Sequence, residues 1–232
     1  MAENINHTFG TLSSAPDGSI TEHIFGYIST IVVDIKYDAD QNENSITNSL
    51  CKTLEFKKNP SSPYYFHHQN IESDKENTST DFAVFGTFAY AQENDLDIEE
   101  SLPLVKFEAK RLSSSIPKKR EKEYVIGEYE HNKQVKNSGG IERFKNCRHG
   151  NDVVNACLIG YVQSDTFSIW REKINEWISA EISLAHDSTL SWDDGDILTE
   201  VSLNSKLAVY YSTAKRVTGD IINLRHLWIN SA

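Results

Sequence analysis

Glu108 and Lys110 stand two residues apart in Leu104-Val105-Lys106-Phe107-Glu108-Ala109-Lys110-Arg111-Leu112, a stretch that alternates apolar and charged residues. Successive side chains of a strand point to opposite faces, so Val105, Phe107 and Ala109 can enter a core while Lys106, Glu108 and Lys110 share the other side. A carboxylate and an ammonium placed in this way can meet one metal-bound water. Such a site needs a second carboxylate on a neighbouring strand. Asp81 offers it near the start of Thr80-Asp81-Phe82-Ala83-Val84-Phe85-Gly86-Thr87-Phe88-Ala89-Tyr90, which reads as a strand over 80–90. The 27 positions from Asp81 to Glu108 hold that strand, an acidic hairpin loop over 92–101 and a return strand over 102–112. The two acids can therefore converge.

This order of elements resembles the PD-(D/E)xK nuclease superfamily, the restriction-endonuclease-like fold. Residue by residue, Asp81 matches the family's first acid, Glu108 the second and Lys110 the lysine, with Thr80 where a proline often precedes the Asp. Glu43 matches the acid that often lies on the helix before the strands. The resemblance covers residues 40–185, and Ser138-Gly139-Gly140-Ile141-Glu142-Arg143-Phe144 through Leu158-Ile159-Gly160-Tyr161-Val162 looks like the helix and strand that follow the catalytic hairpin.

The resemblance implies a metal-dependent phosphodiester hydrolase, a DNA endonuclease of restriction or defence type. Mg²⁺, with Mn²⁺ as substitute, would be held by Asp81, Glu108 and the Ala109 carbonyl, while Lys110 would position the attacking water or stabilise developing charge. It further implies DNA as partner, a homodimer that cuts both strands, and a separate ATPase, methyltransferase or specificity subunit. The alternative is a catalytically inactive binding protein on the same fold. On the tripeptide alone an inter-strand salt bridge is the simpler reading; the strand order and flanking elements favour the site.

The net charge of −11 argues against nucleic-acid binding when taken whole, because phosphate contacts usually come with a basic surface. Its distribution says otherwise. Residues 106–148 hold 12 of the 23 Lys and Arg but only 6 of the 34 Asp and Glu, a local balance of +6 that leaves −17 for the remainder. Lys118, Lys119 and Arg120 there suit either a solvated face or a phosphate-tracking surface, and Arg143 either a surface ion pair or a phosphate ligand. Three cysteines without C-x-x-C spacing suggest neither a disulfide framework nor a zinc ribbon, and a reducing cytoplasm is expected. No secretory signal or membrane span is read.

A single domain over 1–232 is expected, an α/β fold with a central mixed sheet flanked by helices. Ile20, Ile24, Tyr27, Ile28, Ile31, Val32 and Ile35 predict an amphipathic helix over 19–36 with Ser19 as cap. Ile46, Leu50 and Leu54 mark a second, stopped by Asn59-Pro60-Ser61-Ser62-Pro63. A strand follows over 64–71. Residues 113–136 read as a loop with one short element and a substrate-contacting flap. Gly139-Gly140 introduces a helix that Gly150 ends, followed by a buried strand over 156–162. Ile169, Trp170, Ile174, Trp177, Ile178 and Ile182 then mark a helix capped by Asp165, its tryptophans packing rather than stacking on bases. Strands over 207–211 and 222–229 close the chain.

Other constellations are weaker. Asp38-x-Asp40-x-Asn42 starts like a calcium loop, but Glu43 stands where glycine is needed and Ser49 where the closing glutamate is needed. Asp193-Asp194-Gly195-Asp196 is first a turn signal. Adjacent His67 and His68 face opposite sides of a strand and cannot share a metal. His149 beside Gly150 reads as a helix C-cap favoured by the dipole, or as a neighbour of phosphate.

Overall fold

The structure, a computed structural model, describes residues 17–38, 41–73, 78–97, 103–130, 133–184 and 190–230. In chain order these form α1 (Asp17–Val32), α2 (Glu43–Lys57), β1 (Tyr64–Ser73), β2 (Thr78–Gly86), α3 (Phe88–Glu93), β3 (Pro103–Leu112), β4 (Tyr129–Glu130), β5 (Lys133–Gln134), α4 (Gly140–Lys145), β6 (Asn155–Val162), α5 (Phe167–Ser183), β7 (Thr199–Leu203), β8 (Leu207–Lys215) and β9 (Ile221–Asn230). Seven strands make one mixed sheet in the order β1-β2-β3-β6-β9-β8-β7, with a separate β4-β5 hairpin. Its centre, β3-β6-β9, is parallel, and antiparallel pairs complete both ends. The α/β class with helices flanking a mixed sheet is thus the architecture of the molecule.

Each central strand sends alternate residues to two different cores. Val105, Phe107, Ala109, Cys157, Ile159, Tyr161, Leu227 and Ile229 pack against Ile24, Ile28, Ile46, Leu50 and Leu54 of α1 and α2. On the other face Leu112, Ala156, Leu158, Leu224 and Trp228 meet Ile141 and Phe144 of α4 and Trp170, Ile174 and Ile178 of α5. The tryptophans of α5 do pack: Trp170 is buried, edge-on to Trp177, and donates its indole N–H to the Ser164 carbonyl at 2.6 Å.

Several boundaries differ from those expected. Helix α1 begins before Ser19 and stops at Val32, within the β-branched run Ile31-Val32-Val33 that resists helical χ1 rotamers. The segment after it is instead tied to the sheet by the Tyr37 hydroxyl, which donates to the Ile229 carbonyl at 2.7 Å. Strand β2 ends at Gly86 rather than at Tyr90, because Thr87 accepts a hydrogen bond from Tyr90 N and caps α3. Gly86 is required there, since a Cβ would fall 2.4 Å from the Tyr90 ring. Residues 92–97 of the expected acidic loop are therefore partly helical, and 98–101 lie outside the described residues. Thr166, not Asp165, caps α5. The exposed edge strand β7 was not expected: its alternation is limited to Val201 and Leu203, both of which are exposed. The 113–136 stretch is no free flap, since Tyr124, Val125 and Ile126 are buried in the second core. The 193–196 turn is a short 3₁₀ helix, as its Asp-Gly signal suggests.

Candidate active site at the end of β3

The site begins with a shortage of hydrogen-bond partners. Strand β2 pairs with β3 only as far as Phe82 opposite Phe107, whereas β6 pairs with β3 through Leu112. Beyond Phe107 the β2-facing amides of β3 need other acceptors, because a buried N–H left unpaired is costly. Two carboxylates supply them. Asp81 Oδ2 accepts from Ala109 N at 2.7 Å, and Glu43 Oε2, in the first turn of α2, accepts from Arg111 N at 3.0 Å. Asn42 fixes the start of that helix by accepting from Ser45 N at 2.9 Å. The gap in the sheet thus draws two acids from different elements onto the E-x-K strand.

Lys110 stands among them. Its Nζ lies 2.6 Å from Glu108 Oε1, 2.8 Å from the Ala109 carbonyl oxygen and 3.5 Å from Glu43 Oε1. Glu108 has two further neighbours: Arg143 Nη1 donates to Oε1 at 2.8 Å, and the His149 imidazole places Nδ1 3.1 Å from Oε2, off the line of a hydrogen bond. Arg143 reaches Glu108 because α4 lies almost on the sheet. A Cβ at Gly139 would fall 2.3 Å from the Ile126 backbone, and one at Gly140 2.7 Å from a Leu158 methyl, so only the glycine pair permits the approach. Glu142 locks the preceding loop to α4 by accepting from Gly127 N, Gly139 N and the Gln134 side chain.

The charges are unevenly compensated. Burial pushes the Glu108 carboxyl up, but Lys110, His149 and Arg143 outweigh it and hold the group well below the usual carboxylate range. Burial likewise opposes the charge on Lys110, and Glu108, Glu43 and Asp81 together raise it above an ordinary lysine. Asp81 is left short. Burial, then the charge of Glu108 and that of Glu43, raise it to about 7 despite Lys110 and the Ala109 amide. Buried Glu123 adds another acid whose carboxyl is raised, chiefly by burial, and which also feels Glu43 and Lys110.

Glu43, Asp81, Glu108, Lys110 and Arg143 are therefore brought together around Ala109. The other expected contacts lie elsewhere. Lys118, Lys119 and Arg120 form a 3₁₀ turn, where Lys119 pairs with Glu128 at 3.4 Å and Arg120 with Glu123 at 2.6 Å. Three of the twelve basic residues of the segment are not surface at all: Lys106, Lys110 and Lys145 are buried. His149 serves the C-terminus of α4 through its backbone, donating to the Arg143 carbonyl at 3.0 Å, while its ring is a neighbour of Glu108, and Arg143 pairs with that buried acid. Sequence reasoning also missed Lys106, which bridges Glu72 at 2.8 Å and Asp152 at 2.6 Å. Its place on the Glu108 face of the strand was the available signal.

Donor chemistry suits a hard cation, since Asp81, Glu108, Glu43 and the Ala109 carbonyl all offer oxygen and Lys110 compensates Asp81 only in part. Among the described residues, however, no group of three or more His, Cys, Asp and Glu is arranged to hold a metal ion. The Lys110 ammonium lies among the acids, 2.6 Å from Glu108 and 3.5 Å from Glu43. No family model, no curated protein and no solved structure matches the chain. Among the described residues no helix is long and apolar enough to cross a membrane.

Proposed function

We propose that the chain is a metal-dependent phosphodiester hydrolase acting on DNA, a restriction-type or defence-related endonuclease of the PD-(D/E)xK kind. The observation that carries this reading is the convergence of Asp81, Glu43 and the Glu108/Lys110 pair where β3 outruns β2. Asp81, Glu108 and the Ala109 carbonyl are the residues that would hold Mg²⁺, which supplies charge neutralisation at the phosphate and lowers the pKa of a bound water. Lys110, kept charged by its acids, holds a donor beside Glu108 where negative charge would develop on the phosphate. Arg143 and His149 keep Glu108 ionised and fixed in direction, and Glu43 ties α2 to the strand.

Purified protein should cut DNA with Mg²⁺ or Mn²⁺, lose cutting on chelation, and bind without cutting in Ca²⁺, whose looser coordination activates water poorly. Glu108→Ala should abolish cutting while DNA affinity largely remains, as removal of a transition-state interaction requires. A second reading, a non-catalytic binding protein, is favoured by the Lys110 ammonium already pairing with Glu108 and Glu43. It prevails if calorimetry detects no divalent ion and wild type and Glu108→Ala behave alike on every nucleic acid tried.

A further inference from the structure

Beside Glu108 the surface opens into a cleft of about 480 Å³ lined by Thr78, Val135, Lys136, Asn137, Ser138, Arg143, Arg148 and His149. Its lining contains three permanent cations and an imidazole and no carboxylate, in a chain whose formal charge is −11, although two of the cations pair with acids behind the wall, Lys136 with Glu128 at 3.0 Å and Arg143 with Glu108 at 2.8 Å. Such a local excess of positive charge is placed against the trend of the whole molecule, and concave walls concentrate its field.

The cleft is also continuous with the acids. Arg143 and His149 line it while touching Glu108 on β3, so an anion bound there lies next to the E-x-K pair. Its wall is fixed from within. Arg148 Nη1 donates to the Asn137 carbonyl at 2.9 Å, and His149 N donates to the Arg143 carbonyl at 3.0 Å. Glu72 accepts from Gly150 N at 3.3 Å while bonding Lys106, which holds the turn that carries His149 against the sheet. Gly150 takes the left-handed conformation, φ 65°, that this turn requires. Val135, 48% exposed, adds the one sizeable apolar surface to the lining. Cations for a phosphate beside an apolar patch for a sugar or base complement what one nucleotide of a strand presents.

We propose that this cleft is a phosphate subsite: it holds a phosphodiester of the nucleic-acid strand next to the one that faces Glu108 and Lys110, seated on Arg143, Arg148 and Lys136. The assignment rests on the nuclease reading for its position relative to the cut, but not for binding itself. It places strand recognition in the cleft, where Arg143 touches Glu108, rather than on the 3₁₀ turn of Lys118, Lys119 and Arg120; Glu128 bridges the two regions, pairing with Lys136 at 3.0 Å and with Lys119 at 3.4 Å.

The test measures binding of a fluorescein-labelled DNA oligonucleotide by anisotropy in EDTA over a series of salt concentrations, and cutting separately in Mg²⁺. Arg148→Gln and Lys136→Gln should each weaken binding about tenfold at low salt and lower the slope of log affinity against log salt by about one. Lys118→Gln and Lys119→Gln should change binding less than twofold. Inorganic phosphate at millimolar concentration should compete with the oligonucleotide in wild type and lose that effect in Arg148→Gln. Since Arg143 also pairs with Glu108, Arg143→Gln serves only with thermal unfolding as a check. If the cleft variants bind and compete as wild type does, or if wild type binds no DNA at low salt, the subsite is overturned. Cleft-dependent binding by a wild type that never cuts upholds the subsite and removes the nuclease reading; cutting with unaltered KM in Arg148→Gln does the reverse.

Discussion

Two charge clusters lie on the same face of the sheet and are built in opposite ways. Lys145 of α4 and Asp196 form a closed pair: Nζ lies 2.7 Å from both carboxylate oxygens, both side chains are 0% exposed, and Lys145 lies over the Trp192 ring. Two residues earlier on the same helix, Arg143 serves the cluster around Glu108, where several acids from separate elements share Lys110 and Arg143 at the edge of a cleft. In the closed pair each charge has one partner, and burial, its strongest influence, pulls Lys145 down and Asp196 up. In the open cluster the cations over-serve Glu108 and leave Asp81 under-served. A balanced pair fixes structure, whereas an imbalance facing a cleft is suited to receiving a charge from outside.

Breaking the closed pair should give the largest effect. Lys145→Met strands the Asp196 carboxylate and should lower stability by about 3–5 kcal/mol in urea unfolding. Adding Asp196→Asn, which can still accept from Asp193 N, should recover most of the loss. If the double variant is as unstable as the single one, the pair contributes more than mutual neutralisation.

The same operation on the open cluster should divide differently. Lys110→Ala should slow cutting about a thousandfold, the scale of one lost electrostatic donor, yet cost less stability than Lys145→Met because Glu108 keeps Arg143 and His149. Single-turnover cutting and urea unfolding of both variants decide it. Equal destabilisation would mean that both clusters are structural.

How far the sequence revealed these clusters follows from the range over which each is assembled. Period-two alternation showed Glu108 and Lys110 on one strand face, and Asp81 was found as the acid at the start of the preceding strand, since both are local patterns. The partnership of Lys145 with Asp196 crosses 51 positions, and the turn signal of Asp193-Asp194-Gly195 gave no hint of a buried lysine. His149 was visible as a residue but not as a neighbour of Glu108, because a left-handed turn at Cys147 and Gly150 brings it back. The alternation of β3 also suggested a polar outer face, where α4 and Tyr124-Val125-Ile126 cover it instead and leave Lys106, Glu108 and Lys110 buried. The 80–90 strand was over-extended because Phe88, Ala89 and Tyr90 suit either period, and the Thr87 cap decided between them.

A third polar group on this face tests whether closure alone makes a cluster structural. His226 is fully buried, with the Tyr124 hydroxyl 2.8 Å from Nδ1 and the Ser212 hydroxyl 3.0 Å from Nε2, and burial lowers it to about 3. Its folded value is depressed below the unfolded one of about 6.5, so its contribution is complete above that pH and is lost as pH falls towards 3. At pH 5 the loss should be about 2 kcal/mol relative to pH 7.5. His226→Gln, which cannot take up a proton, should flatten that part of the stability profile; an unchanged slope would assign the acid sensitivity to other groups.

The smallest effect should come from the cap that positions Glu43. Asn42→Ala removes the acceptor for Ser45 N and should cost about 1 kcal/mol, as N-cap losses do. Glu43 is the residue directly after the cap and satisfies Arg111 N, so fraying of the first turn loosens one acid of the open cluster and none of the closed pair. Cutting by Asn42→Ala should therefore fall several-fold at unchanged KM, and Asn42→Asp, which keeps a capping oxygen, should restore it. Glu43→Gln should slow cutting more than Asn42→Ala while costing no more stability, because the amide oxygen can still accept from Arg111 N but brings no charge to Lys110. If Asn42→Ala instead cuts normally once its lost stability is offset by lower temperature, Glu43 holds the strand without serving the chemistry, and the working acids reduce to Asp81 and Glu108.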